Sequence, residues 1–131
     1  MTNSVLLGRG QVWYVNFPFE EDPTKSKERP CVVVGWSNLE PNNDHMLWLM
    51  PIYTFDNNSS RAKRNDILLD DFGADFLRKG SYLRVSRIFS IGMWNFNSKD
   101  NYVGTLPSAV INIAMEEMIK VFERRGPFLG S

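Results

Sequence analysis

Apolar and polar positions along the chain follow two different periods. Gly10 to Phe19 (GQVWYVNFPF) mixes β-branched and aromatic residues and ends at a proline, which predicts a strand. Glu20 to Glu28 (EEDPTKSKE) is polar with a central proline and reads as an exposed connection. Arg29-Pro30 then leads into Cys31–Val34, a continuous apolar run that fits a strand buried on both faces. Gly35 to Asp44 is loop by composition. Met46 to Tyr53 returns to strand character, with Pro51 indicating an edge position or a bulge. Asn57 to Asn65 is a turn-rich basic loop, Ile67–Leu69 a short strand, and Asp70 to Gly80 a turn or short helix. Ser81 to Ile91 alternates most cleanly. Tyr82, Arg84, Ser86, Ile88 and Ser90 take one face, and a mainly apolar set interrupted by Arg87 takes the other.

The last segment changes period. Between Ser108 and Phe122, the residues Ile111, Ala114, Met115, Met118 and Phe122 recur at spacings of three and four, the stripe of an amphipathic helix laid on a sheet. Thr105 or Ser108 suits its N-cap, Pro107 its first turn, Arg124 and Arg125 its C-terminal end, and Gly126-Pro127 stops it. Five or six short strands in a strongly bent antiparallel sheet, closed by this helix, make a small SH3-like β-barrel of class α+β.

Composition narrows the chemistry. A chain of 131 residues with 43% hydrophobic residues fits one domain, residues 1–131, with its own core and no need of disulfides or metal. The one cysteine, Cys31, lies in an apolar run and reads as a small core residue in a reducing, cytoplasmic compartment. A catalytic thiol is disfavoured because the one histidine, His45, falls in a Pro/Asn-rich segment. One His and one Cys supply no four-ligand zinc set, so no metal or cofactor is expected. Residues 1–10 hold only the apolar triplet Val5-Leu6-Leu7, short of a signal-peptide core, and no stretch is long enough to span a bilayer. Charges balance at 15 Lys+Arg against 15 Asp+Glu. Locally they separate: acids gather at Glu20–Asp22 and Asp70–Asp75, cations at Lys25–Arg29, Arg61–Arg64 and Arg84–Arg87. A neutral total therefore leaves room for a basic groove.

Arg29 stands between a polar loop and a buried strand, its backbone held by Pro30. A guanidinium placed so forks onto phosphate oxygens and stabilises charge developing there. Thr54 ends the third strand and offers a hydroxyl; Tyr53 offers a ring that stacks on a base. Lys25, Lys27, Arg61, Lys63 and Arg64 are candidates for holding a nucleic-acid backbone, as are Arg84 and Arg87. Each type also has a plain structural use: strand formers, solvated loop cations, a structural ion pair at Arg87. Trp13, Tyr14, Trp36, Trp48 and Trp94 are expected in the core or in dimer contacts.

Taken together these elements resemble the MazF/PemK family of toxins from toxin–antitoxin pairs. Gly10–Phe17 (GQVWYVNF) is similar to the family's opening G-[DE]-[IV]-[WV]-x-[VA]-x-[FL], and Arg29–Val34 (RPCVVV) to its R-P-[AC]-[VL]-[VI]-[VL]. Pro51-Ile52-Tyr53-Thr54 follows at the family's distance, Ser81–Ile91 takes the place of its later strand, and Gly104-Thr105-Leu106 leads into the helix. The likeness covers roughly residues 8–122. It implies a metal-independent endoribonuclease acting on single-stranded RNA, dimeric, and silenced by an antitoxin protein. The arginine of R-P, here Arg29, would act on the scissile phosphate, assisted by a threonine after the third strand. A gapless match sets Tyr53 at that place and Thr54 one residue on. Since one residue reverses the face in a strand, either a bulge at Pro51 presents Thr54, or Tyr53 substitutes, or activity is weakened. Arg87 stands where the family has Gln or Lys. No general base is assigned. The alternatives are a non-catalytic barrel that acts by protein binding, in the manner of a gyrase poison, and a barrel that binds RNA without cutting it.

Overall fold

The β-branched and aromatic runs do become strands, paired in one strongly curled antiparallel sheet. The computed structural model describes residues 8–18, 22, 24, 26–38, 45–54, 65–92 and 101–123. β1 (Gln11–Pro18), β2 (Ser26–Asn38) and β3 (His45–Thr54) form a meander, followed by β4 (Ile67–Leu68), β5 (Ser81–Leu83), β6 (Phe89–Gly92), β7 (Tyr102–Thr105) and the helix α1 (Ser108–Glu123). The order across the sheet is β4-β5-β3-β2-β1-β7, with β6 also on β3. β2 is longer than its apolar run. Its start pairs with β1 through Asn16↔Glu28 and Phe17↔Lys27, and its end with β3 through Trp36↔Leu47 and Ser37↔Met46, so the polar flanks are zipped into the sheet. An extra residue near Val34 makes a bulge between the pairs Val33↔Leu49 and Gly35↔Trp48.

The described residues form seven strands rather than five or six, and two further expectations need correction. Ser81–Ile91 is not one strand, because a 3-10 turn at Val85–Arg87 divides it into β5 and β6. Both halves pair with the same side of β3, at Ile52↔Leu83 and Leu49↔Phe89. Between those pairs β3 advances fewer residues than its partner, and the turn takes up the surplus. Pro51 lies in a central strand and carries no bulge: it pairs with Cys31, and its neighbour Ile52 is in register with Leu83. Its carbonyl accepts from the Arg84 N–H at 3.0 Å. The N–H that proline lacks would lie on that same side of the strand, where β3 changes partner from β6 to β5 and no acceptor is needed.

Alternation along β1 to β3 divides the apolar residues between two faces. Val12, Val32, Met50 and Ile52 face α1, where Val110, Ile111 and Ala114 close the main core with Leu83 and Leu106. Each of these Val, Leu, Ile and Met side chains, fully buried, contributes about 1.5–3 kcal/mol. Trp13, Cys31, Val33, Leu47 and Leu49 form a second cluster on the other face. The helical stripe holds through Ala114 and then thins: Met115 and Met118 are half-buried and Phe122 is 71% exposed. Trp13 is buried in the core, and Trp36 and Trp48 are exposed in the single chain. Trp94, Arg124, Arg125 and the stop at Gly126-Pro127 lie outside the described residues.

Three ties fasten the connecting segments to the sheet and the helix. Gly10, at φ 95°, donates to the Val33 carbonyl at 2.7 Å and accepts from the Leu106 N–H at 2.8 Å, a conformation few other residues adopt. The Phe76 ring lies flat on Gly104, where a Cβ would stand 2.6 Å from it. Asn65, at φ 76°, donates its Nδ2 to Glu117 Oε1 at 2.7 Å, fastening the turn before β4 to α1. Among the described residues no helix is long and apolar enough to cross a membrane.

Candidate active site

On the face away from α1, the second apolar cluster gives way to charge. The β2–β3 register, continued two residues past Cys31↔Pro51, sets Arg29 across from Tyr53, and Tyr53 pairs in turn with Tyr82 of β5. One lateral row therefore runs Arg29, Tyr53, Tyr82 over three strands. The Arg29 guanidinium carbon lies 4.1 Å from the Tyr53 ring centroid, within cation–π range. The two tyrosine rings stack at 5.8 Å with planes 19° apart. Arg84 reaches the same rings from the chain that leaves β5, its guanidinium 4.5 Å from Tyr53 and 5.3 Å from Tyr82. Its Nη2 donates to the Tyr82 hydroxyl at 3.1 Å and to Asp66 Oδ2 at 3.3 Å.

The two arginines differ in their electrostatics. Arg84 and Asp66 side chains are each 2% exposed and neutralise one another. Arg29 is half-buried, its buried Nε meets no acceptor, and no carboxylate among the described residues pairs with it. A guanidinium with a free donor beside a phenol is suited to an incoming anion, above all a phosphodiester. Cys31, two residues on, is no nucleophile. Its thiol is wholly buried, donates to the Arg29 carbonyl at 3.4 Å, and is pushed up to about 12 by burial, against the opposing pull of the Arg29 charge.

A family model for the PemK-like, MazF-like toxin of type II toxin-antitoxin systems matches residues 8–122. The chain belongs to that toxin family. Among solved structures, the toxin is similar to an endoribonuclease in complex with its cognate antitoxin from Mycobacterial species. The TM-score is 0.60 at 16% sequence identity, over 91% of this chain and 97% of that one, a likeness of fold. No curated protein matches it.

Within the toxin, the structure brings Arg29 and Tyr53 together and separates Thr54 from them. Pairs run without a shift through Ile52↔Leu83, Tyr53↔Tyr82 and Thr54↔Ser81, so Thr54 takes the face opposite Tyr53. Lys27 is exposed on β2 and, two residues before Arg29, shares its face. Arg87 is half-buried at the end of the 3-10 turn. Alternation sets Arg84 and Arg87 on opposite faces, Arg87 with the mainly apolar set. Instead Arg84 is the buried one, because the tyrosine row and Asp66 cover it. Lys25, Arg61, Lys63 and Arg64 lie outside the described residues. Sequence reasoning passed over Asp66 and Tyr82. The signal for Tyr82 was its place on the same face as Arg84 two residues on; nothing local marked Asp66, which meets Arg84 only through the β4–β5 pairing.

Proposed function

We propose that the toxin is a metal-independent endoribonuclease that cuts single-stranded RNA in the cytoplasm. The observation that carries this reading is the half-buried Arg29, its Nε unpartnered, 4.1 Å over the Tyr53 ring. RNA brings its own nucleophile, the 2′-hydroxyl. As the 2′-oxygen bonds to phosphorus and the bond to the 5′-oxygen breaks, the protein has to align the two, let the 2′-hydroxyl proton pass to a base or water, stabilise charge on the phosphoryl oxygens, and supply a proton to the departing 5′-oxygen. Arg29 takes the phosphoryl oxygens. Tyr53, in the place where the family has its threonine, is the proton donor, since Thr54 is on the far face. Lys27 and Arg87, with Lys25, Arg61, Lys63 and Arg64, hold the backbone of the strand. Membership of the toxin family supports two protein partners: a second copy of the chain, and an antitoxin whose acidic and apolar segment is disordered until it occupies the RNA groove.

The direct test incubates purified protein with a mixed single-stranded RNA, with and without EDTA. Cleavage is expected under both conditions, to fall about 10²–10³-fold in Arg29→Ala and about 10²-fold or more in Tyr53→Phe. No cleavage by the wild type, or unchanged cleavage by Arg29→Ala, overturns the reading. One observation favours the non-catalytic alternative: Tyr53 is only 6% exposed, packed among two guanidiniums and a second tyrosine. RNA binding without product, or specific recovery of a topoisomerase subunit, would establish that alternative.

A further inference from the structure

The Arg84–Asp66 pair is unusual for its place. Taking two charges out of water costs several kcal/mol per ion, and a buried pair of this kind is often no more stabilising than apolar residues of the same volume. Here both side chains are 2% exposed, and the pair abuts the polar row on this face. The contacts are sequential. Asp66 Oδ2 accepts from Arg84 Nη2, that same nitrogen donates to the Tyr82 hydroxyl, and the guanidinium plane rests against both the Tyr53 and Tyr82 rings. The Arg84 main chain is held as well, its N–H donating to the Pro51 carbonyl two residues before Tyr53. Asp66 itself follows Asn65, which is fastened to the helix through Glu117.

We propose that Asp66 is a positioning residue of this site: its carboxylate pins and neutralises the Arg84 guanidinium against the tyrosine stack, and so sets the Tyr53 phenol beside Arg29. The inference rests on the nuclease reading for its catalytic consequence, but the coupling of Asp66 to Tyr53 does not. Two positive groups face Tyr53, Arg29 from β2 and Arg84 from the end of β5, and the Tyr82 and Phe89 rings pack against it. Asp66 offsets one of the two positive charges. Without it, Arg84 can turn away from the rings or act on them as an uncompensated cation.

The experiment uses the full chain and three variants: Asp66→Asn, Asp66→Asn with Arg84→Met, and Tyr53→Phe. Tyrosine labelled with ¹³C at Cζ is titrated by NMR without RNA, the Tyr53 resonance being assigned by its loss in Tyr53→Phe. In Asp66→Asn the Tyr53 signal is expected to titrate at lower pH than in the wild type, because the Arg84 charge is no longer offset. In the double variant, which buries no charge and keeps the fold, that downward displacement is expected to disappear. Cleavage kinetics on the same proteins should show kcat lowered about 10²-fold in both variants with KM little changed, the signature of misplacement rather than lost binding. An unmoved Tyr53 titration in folded Asp66→Asn, or wild-type kcat in the stable double variant, overturns the proposal and leaves Asp66 a structural residue. If Asp66→Asn does not fold, the double variant decides by its kcat. If the wild type cuts no RNA, the nuclease reading falls, and the Tyr53 titration alone decides whether Asp66 sets the phenol.

Discussion

The two faces of the sheet are built from alternate residues of the same strands, yet they serve different ends. Towards α1, Val12, Val32, Met50 and Ile52 meet Val110, Ile111 and Ala114 in a core without charge. Away from it, Trp13, Cys31 and Leu49 begin in the same manner, and one step further along the register the row becomes Arg29, Tyr53 and Tyr82. Ile52 and Tyr53 are neighbours in sequence and belong to opposite sides of this division. A single alternation therefore assigns each residue to the core under α1 or to the face of the candidate site, and a one-residue slip in β3 would exchange Tyr53 for Thr54.

Substitutions on the two faces should separate stability from activity. The largest effect is expected at the core: Ile52→Ala removes a wholly buried side chain and should lower unfolding free energy by about 2–5 kcal/mol, read as a reduced denaturant midpoint. Arg29→Ala should do the reverse, moving that midpoint little while costing about 10²–10³-fold in RNA cleavage. Equal losses of stability in the two variants would erase the distinction between the faces. Gly104→Ala, which forces a methyl into the Phe76 ring, should cost about 1–3 kcal/mol with no specific effect on cleavage. Thr54→Ala sharpens the comparison, since its side chain is on the far face: stability within about 0.5 kcal/mol and unaltered cleavage are expected. A loss matching that of Arg29→Ala would return Thr54 to the site.

A last effect is confined to alkaline pH. Burial raises the Cys31 thiol from an ordinary 9.0 to about 12. Below 9 the group is neutral in the folded and the unfolded chain, and its contribution is fully present. As pH climbs towards 12 the unfolded chain ionises first, so that contribution is progressively lost. Cys31→Ala should accordingly lose less stability than the wild type over that alkaline window in parallel denaturant titrations.

Much of the fold was legible in the chain. The 2.0 and 3.6 periods placed β1, β3 and α1 nearly to their ends, and the R-P element led directly to Arg29. The misreadings have a common cause, because local pattern cannot show which strand a residue will meet. Ser81–Ile91 alternates as a strand should, but its two halves must both pair with β3 at different places, and the turn at Val85–Arg87 results from that. Arg84, a candidate for holding a nucleic-acid backbone, is instead paired with Asp66, which the fold brings beside it from eighteen positions upstream. Of the tryptophans expected in the core or in dimer contacts, Trp13 is in the core while Trp36 and Trp48 are exposed in the single chain, a difference that periodicity does not carry.

The row Arg29, Tyr53, Tyr82 also governs when the site comes into being. Its members come from β2, β3 and β5; β2 and β3 follow one another in the chain, whereas β5 reaches β3 across a long intervening segment, and a contact of that range costs more loop entropy to close. A chain emerging from the ribosome has Arg29 and Tyr53 well before Ser81–Leu83 and Arg84 arrive to complete the stack. The row is therefore incomplete until β5 has been made and has paired with β3.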